Sequence, residues 1–233
     1  MAHVDSLEIF TTKISIMNEK GVPLFFEWIP EIPDKSLQPM HAKYITKIRD
    51  DGKEKHYRVS KIFELNVTNL STYIRECFGQ PEEILILEGE DENGKVIIDF
   101  GLTTSRYSID LMRRLLNPSF DPSQVIRITP YRIENKNGIL KIGISAMQPP
   151  NNKLLYSQSS DFLSGCPKAE KLTIGFKTFW DFTNVSKWLM EEVNKKLGNH
   201  HIKEVDQSVN KKLENHNKRV YQDDPWFPND IDY

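Results

Sequence analysis

The sequence predicts a mainly β protein with flanking helices, its strands arranged as a five-stranded antiparallel barrel, followed by a long C-terminal helix and a disordered acidic tail. Three observations predict it. Short apolar alternations of period two recur through the first 147 residues, punctuated by hairpin signals such as Asn93-Gly94 and Asn137-Gly138. One strongly amphipathic stretch stands at 179–197. The last eleven residues hold four aspartates, three aromatics and two prolines behind a polar segment. The expected organisation is a strand-rich body with its C-terminal helix over 1–198, a linker over 199–222 and a tail over 223–233.

Leu7, Ile9 and Thr11 interleave with Phe10, Ile14 and Ile16 as a first strand, ending near Asn18 to Gly21. Pro23, Pro30, Pro33 and Pro39 forbid a central strand or long helix over 23–42, which reads as a loop with a short extended piece at 25–28. Residues 43–49 and 55–67 form a hairpin across Asp50 to Gly52, with Tyr57, Val59, Phe63, Leu65 and Val67 on one parity. Leu70, Tyr73, Ile74 and Cys77 have helical spacing, and Gly79-Gln80-Pro81 stops that helix. Residues 84–88 and 96–100 flank the turn at Glu90 to Gly94. Ser105 caps a helix of 106–116. Residues 125–134 and 139–147 form another hairpin, in which Pro130 marks a kink or an edge. Residues 148–175 read as loop. In the helix at 179–197, Thr178 with Asp181 resembles a capping box, and Val185, Trp188, Leu189, Val193 and Leu197 make its apolar stripe. Periodicity fails from His200 onward.

The chain has 233 residues and a formal net charge of −2. A core of that size needs no disulfides, and Cys77 and Cys166 are too few for a disulfide framework or a multi-cysteine zinc site. Apolar runs are too short to span a bilayer as a helix, and the first residues carry no secretory pattern, so the expected location is the cytoplasm, that of the host if the protein is viral. The net charge conceals a partition: −6 over residues 1–100, +8 over 101–219 and −4 over 220–233. A basic region followed by an acidic end fits a polyanion binder with a self-shielding tail; a solvated scatter of surface charge is the plain alternative.

Cations interleaved with rings carry the candidate site: Lys43, Tyr44, Lys47 and Arg49 on one strand, Tyr57, Arg58 and Lys61 on its partner, Arg106 and Tyr107 at a helix start, and Arg127, Tyr131, Arg132 and Lys141 on the 125–147 hairpin. Single-strand binding without sequence preference needs cations along the phosphates and flat rings for the bases, and antiparallel barrel surfaces supply both. Core packing is the competing explanation for each ring, and the better one for Tyr57 and Phe63. In the tail, Asp223, Asp224, Trp226, Phe227, Asp230, Asp232 and Tyr233 combine acids with rings on an extended arm, which suits a docking peptide; a strap packed back on the body is the alternative.

Catalytic patterns are sparse. The six histidines, His3, His41, His56, His200, His201 and His216, include no metalloprotease spacing, and phosphate-cradling or nucleophile-elbow motifs are missing from the sequence. Asp99 with Glu134-Asn135-Lys136 offers a loose match to a metal-dependent nuclease, at a predicted turn. The expectation is a non-enzyme without cofactor. A protein–protein adaptor that binds no nucleic acid is the rival from another class.

Two features together resemble the single-stranded DNA-binding proteins of bacteriophages: a strand-rich body with a helix between hairpins, and an acidic tail with a terminal aromatic, Asp230-Ile231-Asp232-Tyr233. Ile128 to Tyr131 and Gly143 to Gln148 are similar to strand segments of that family. The resemblance implies an OB-fold that coats single-stranded DNA during replication, recombination or repair. It also implies a tail that competes with DNA and recruits a polymerase, helicase or recombinase. The amphipathic stripe of the 179–197 helix fits either a cover on the barrel or a homodimer contact.

Overall fold

The computed structural model of the chain describes residues 11–38, 43–48, 52–77, 79–134, 138–150, 152–157, 159–174 and 176–198. They group into two compact units, one drawing on 1–68, 87–99 and 121–153, the other on 69–86, 100–120 and 154–233. The described residues are mainly β, as the sequence predicts, with two α-helices where it predicts three.

Ten strands form one mixed sheet: β1 (Thr11–Glu19), β2 (Val22–Ile29), β3 (Lys43–Ile48), β4 (Glu54–Ser60), β5 (Phe63–Cys77), β6 (Gln80–Asp91), β7 (Gly94–Leu102), β8 (Ile126–Glu134), β9 (Leu140–Gln148) and β10 (Asn152–Lys153). Their order is β10-β9-β8-β5-β6-β7-β1-β2-β4-β3, and β1 runs parallel to β7. The sheet does not close, so the predicted five-stranded barrel is corrected to a larger open sheet. The sequence count missed strands hidden behind proline and helix-like spacing.

In the first unit the sheet curls. β2 and β8 stand five places apart in the strand order, yet their Cα atoms approach within 8 Å. Ile14, Phe25, Leu65, Ile98, Ile126 and Ile128 are buried. Ile14 stands opposite Ile98, Phe63 opposite Ile128, and the Phe25 and Phe63 rings meet edge-on at 5.9 Å, so these residues share the inner side. A smaller cluster of Leu24, Phe26 and Val59, with Met17, Ile45 and Tyr57, covers the opposite side of β1, β2, β4 and β3. β5 and β6 pass so closely that a Cβ on Gly89 would stand 2.3 Å from the Asn66 carbonyl oxygen.

Several local expectations are corrected. β2 begins at Val22 and includes Pro23; a tight turn with positive φ at Lys20 and Gly21 sets the hairpin, and proline is tolerated as the strand's second residue. The single strand expected over 55–67 breaks at Lys61, where the Ser60 hydroxyl bonds the backbone of Ile62. That bend sends Tyr57 and Val59 to one side and Phe63 and Leu65 to the other. Residues 69–77 are strand, not helix. Tyr73 and Ile74 are 39 % and 37 % exposed, so the supposed stripe buries little, and Thr, Tyr and Ile side chains favour the pleat.

In the second unit, Arg75 bonds Glu82 at 2.8 Å across the turn, and Gly79, with φ +73, turns a hairpin instead of stopping a helix. The second unit also holds α1 (Arg106–Leu115), β11 (Glu170–Ile174), β12 (Lys177–Asp181) and α2 (Thr183–Lys196). Ser105 caps α1 by accepting from the Ser108 amide, as its position before the apolar stripe predicts. α2 starts four residues later than expected because Phe179, paired with Leu172, is buried in the β11–β12 hairpin. Asp181 bonds the Thr183 amide and hydroxyl, which replaces the predicted box with Thr178. Val185, Leu189 and Val193 are fully buried, so that stripe is core.

Candidate nucleic-acid interface

Cross-strand register decides which of the predicted cations share a surface. Lys43 stands opposite Val59, Ile45 opposite Tyr57 and Lys47 opposite Lys55, while Phe26 and Trp28 of β2 stand opposite Val59 and Tyr57. Side chains alternate across a strand. One side therefore carries Lys43, Lys47 and Lys55 with Phe26, Trp28 and Tyr57. Ser15 opposite Phe26 puts Lys13 of β1 on this side too. Every position that β2, β3 and β4 contribute to it is apolar, aromatic or lysine; Asp99 of β7 lies beyond, opposite Ser15.

Trp28 is 52 % exposed. The Lys47 ammonium sits 4.4 Å from the Phe26 ring centroid and 4.0 Å from the Met17 sulfur, so its stem crosses the apolar cluster while the charge stays at the edge. Among the described residues, none of Lys13, Lys43, Lys47 and Lys55 forms an ion pair. The result is a cationic face with indole and phenol rings, on which Glu19, at the end of β1 opposite Val22, is the acid that β1 contributes.

Other predicted residues lie elsewhere. Tyr44 stands opposite Arg58, on the inner side, and Arg58 bonds Glu27 at 2.5 Å. Lys61 is exposed in the bend after β4. Arg127 is tied to Glu64 at 2.5 Å; it shares a side of β8 with Tyr131, while Lys141 stands opposite Ile133 on that same side. Arg132 points to the other side of β8. Arg106 and Tyr107 open α1, in the second unit. The single patch expected from all these residues is thus corrected to a compact face on β1, β2, β4 and β3, with the remaining cations paired or placed elsewhere. Arg49 and the tail residues Asp223, Asp224, Trp226, Phe227, Asp230, Asp232 and Tyr233 lie outside the described residues, as do Asn135 and Lys136.

Sequence reasoning missed Lys13, Trp28 and Lys55. Trp28 was hidden by treating 23–42 as a loop. Lys55 was legible: counting back from Asp50 to Gly52 sets Lys47 opposite it.

A cavity of about 700 Å³ in the first unit opens on the inner side and is lined by Ile14, Phe25 and Arg58 with Glu27, Glu64, Glu90, Asp91 and Glu92. Five carboxylates against one guanidinium repel a polyanion, so this cavity is a poor seat for phosphates. No group of three or more His, Cys, Asp or Glu suited to a metal occurs among the described residues, and none of their helices is long and apolar enough to cross a membrane. Cys77 and Cys166 are free thiols.

No protein-family model, curated protein or solved structure matches the chain.

Proposed function

We propose that the protein binds single-stranded nucleic acid, DNA in the first instance, without sequence specificity, on the lysine-and-aromatic face of β1, β2, β4 and β3. One observation carries this reading: Lys43, Lys47 and Lys55 share a side of the sheet with Trp28 and Tyr57, and β2, β3 and β4 place no acid among them, the acid that β1 brings to this side, Glu19, standing at the strand's end opposite Val22. Lysines supply non-specific phosphate attraction, and an exposed indole accepts any base by stacking. The surface is a sheet face, in place of the barrel groove that the sequence led us to expect.

In this reading the acidic tail over 223–233 competes for the same face and recruits replication proteins in the cytoplasm. Fluorescence anisotropy with labelled oligo(dT) and with duplex of equal length tests the proposal. Tight, salt-sensitive binding to the single strand, weaker binding to the duplex, and tighter low-salt binding after removal of Asp223 to Tyr233 are expected. Equal, weak binding to both would leave the protein–protein adaptor, and cleavage on addition of magnesium or manganese would leave the nuclease.

A further inference from the structure

The second unit contains a cavity of about 430 Å³ that the proposed interface does not use, bounded by Arg113 of α1, Lys168, and the rings of Trp180 and Phe182 at the end of β12. Leu163 and Pro167 complete an apolar wall, and among the described residues no carboxylate lines it. Lys171 stands opposite Trp180 on the hairpin, which adds a third cation beside the same ring.

The guanidinium is held in place before any ligand arrives. Arg113 stacks over the Tyr156 ring, 5.6 Å from its centroid. Arg113 Nε is buried without a hydrogen-bond partner. Cys166, at the wall, has its thiol pushed up by burial, so it adds no negative charge near neutrality.

We propose that this cavity is a nucleotide subsite: a base against the Trp180 and Phe182 rings, and its phosphate between Arg113 and Lys168. Its size lies in the range that encloses small ligands, and a planar guanidinium suits phosphate oxygens. Two cations and two rings in one acid-free chamber call for a ligand that is both anionic and flat. The choice of a nucleotide over an acidic aromatic peptide rests on the polynucleotide reading above.

The test uses the full chain in calorimetric titrations with thymidine 5′-monophosphate, thymidine, inorganic phosphate, oligo(dT) and a synthetic peptide of residues 223–233. Lys168 is exposed and Trp180 is 37 % exposed, so Lys168→Glu and Trp180→Ala spare the fold, which a thermal melt verifies. One-to-one binding of the monophosphate is expected, weakened at least tenfold by either substitution, weaker for thymidine or phosphate alone, and unmoved by Lys55→Glu. Failure of the monophosphate to bind, or binding insensitive to both substitutions, overturns the subsite. So does tighter binding of the peptide at the same residues. Oligo(dT) binding without monophosphate binding removes the subsite and leaves the sheet-face reading intact. Monophosphate binding without oligo(dT) binding does the reverse.

Discussion

Lys47 on β3 and Lys55 on β4 face each other directly, two ammonium groups at one rung of an antiparallel pair. Like charges directly opposite destabilise a sheet. Lys43 lies on the same side of β3, four rungs along. In the proposed function, an anionic strand laid across these rungs would relieve the repulsion, with Trp28 and Tyr57 as the surface for its bases.

Lys55→Glu turns the like-charged rung into an opposite-charged one. Urea unfolding should show a gain of about 0.5 kcal/mol, while oligo(dT) binding at low salt weakens tenfold or more. A substitution that improves the fold and damages binding separates a binding role from a structural one. Parallel losses of stability and binding would contradict it.

Trp28→Ala removes a side chain that is half in solvent. Stability should move by less than about 1 kcal/mol. Oligonucleotide affinity should fall by about 1–3 kcal/mol, the worth of one stacked base. Quenching of tryptophan fluorescence by oligo(dT) should shrink in the same variant.

Arg58→Ala should behave in the opposite way. Its partner Glu27 is only 17 % exposed, whereas Arg58 itself is 39 % exposed, so losing the pair leaves a partly buried carboxylate and costs about 1 kcal/mol of stability. Oligonucleotide affinity, measured by anisotropy, should change less than threefold, because Arg58 points to the inner, acidic side.

Tyr156 gives a pH-dependent test. Burial first, then the Asp110 charge and its hydrogen bond, push the phenol well above its ordinary value of 10.0. The folded state therefore keeps a proton that the unfolded chain releases. The stability this contributes is fully present below about pH 10 and is lost as pH rises beyond it. Tyr156→Phe should cost about 1 kcal/mol at neutral pH through the lost hydrogen bond. It should also flatten the alkaline fall in stability, seen in melts at successive pH values.

Much of the fold was legible where turn chemistry and alternation agree. The β6–β7 hairpin at Asn93-Gly94, the Ser105 cap and the stripe of α2 follow from local signals. The β5 segment at 69–77 was not, because Leu70, Tyr73, Ile74 and Cys77 fit a helical period, and only pairing across the turn to Glu82 and Glu83 makes it strand. β2 was concealed by Pro23, which a hairpin start tolerates. The site was half legible. Residue types named Lys43, Lys47 and Tyr57, but only register separates them from Tyr44 and Arg58, one residue away on the opposite side. Arg127 read as a free cation because Glu64, its partner, is 63 positions away.

The salt dependence of oligo(dT) binding tests the central claim most directly. With Lys13, Lys43, Lys47 and Lys55 each meeting a phosphate, log Kobs should fall against log salt with a slope of about −3. Each single lysine-to-alanine change among the four should reduce that slope by about 0.7, while Lys141→Ala leaves it unchanged. A slope near zero, or one that Lys141→Ala alters and the four lysines do not, would contradict the account.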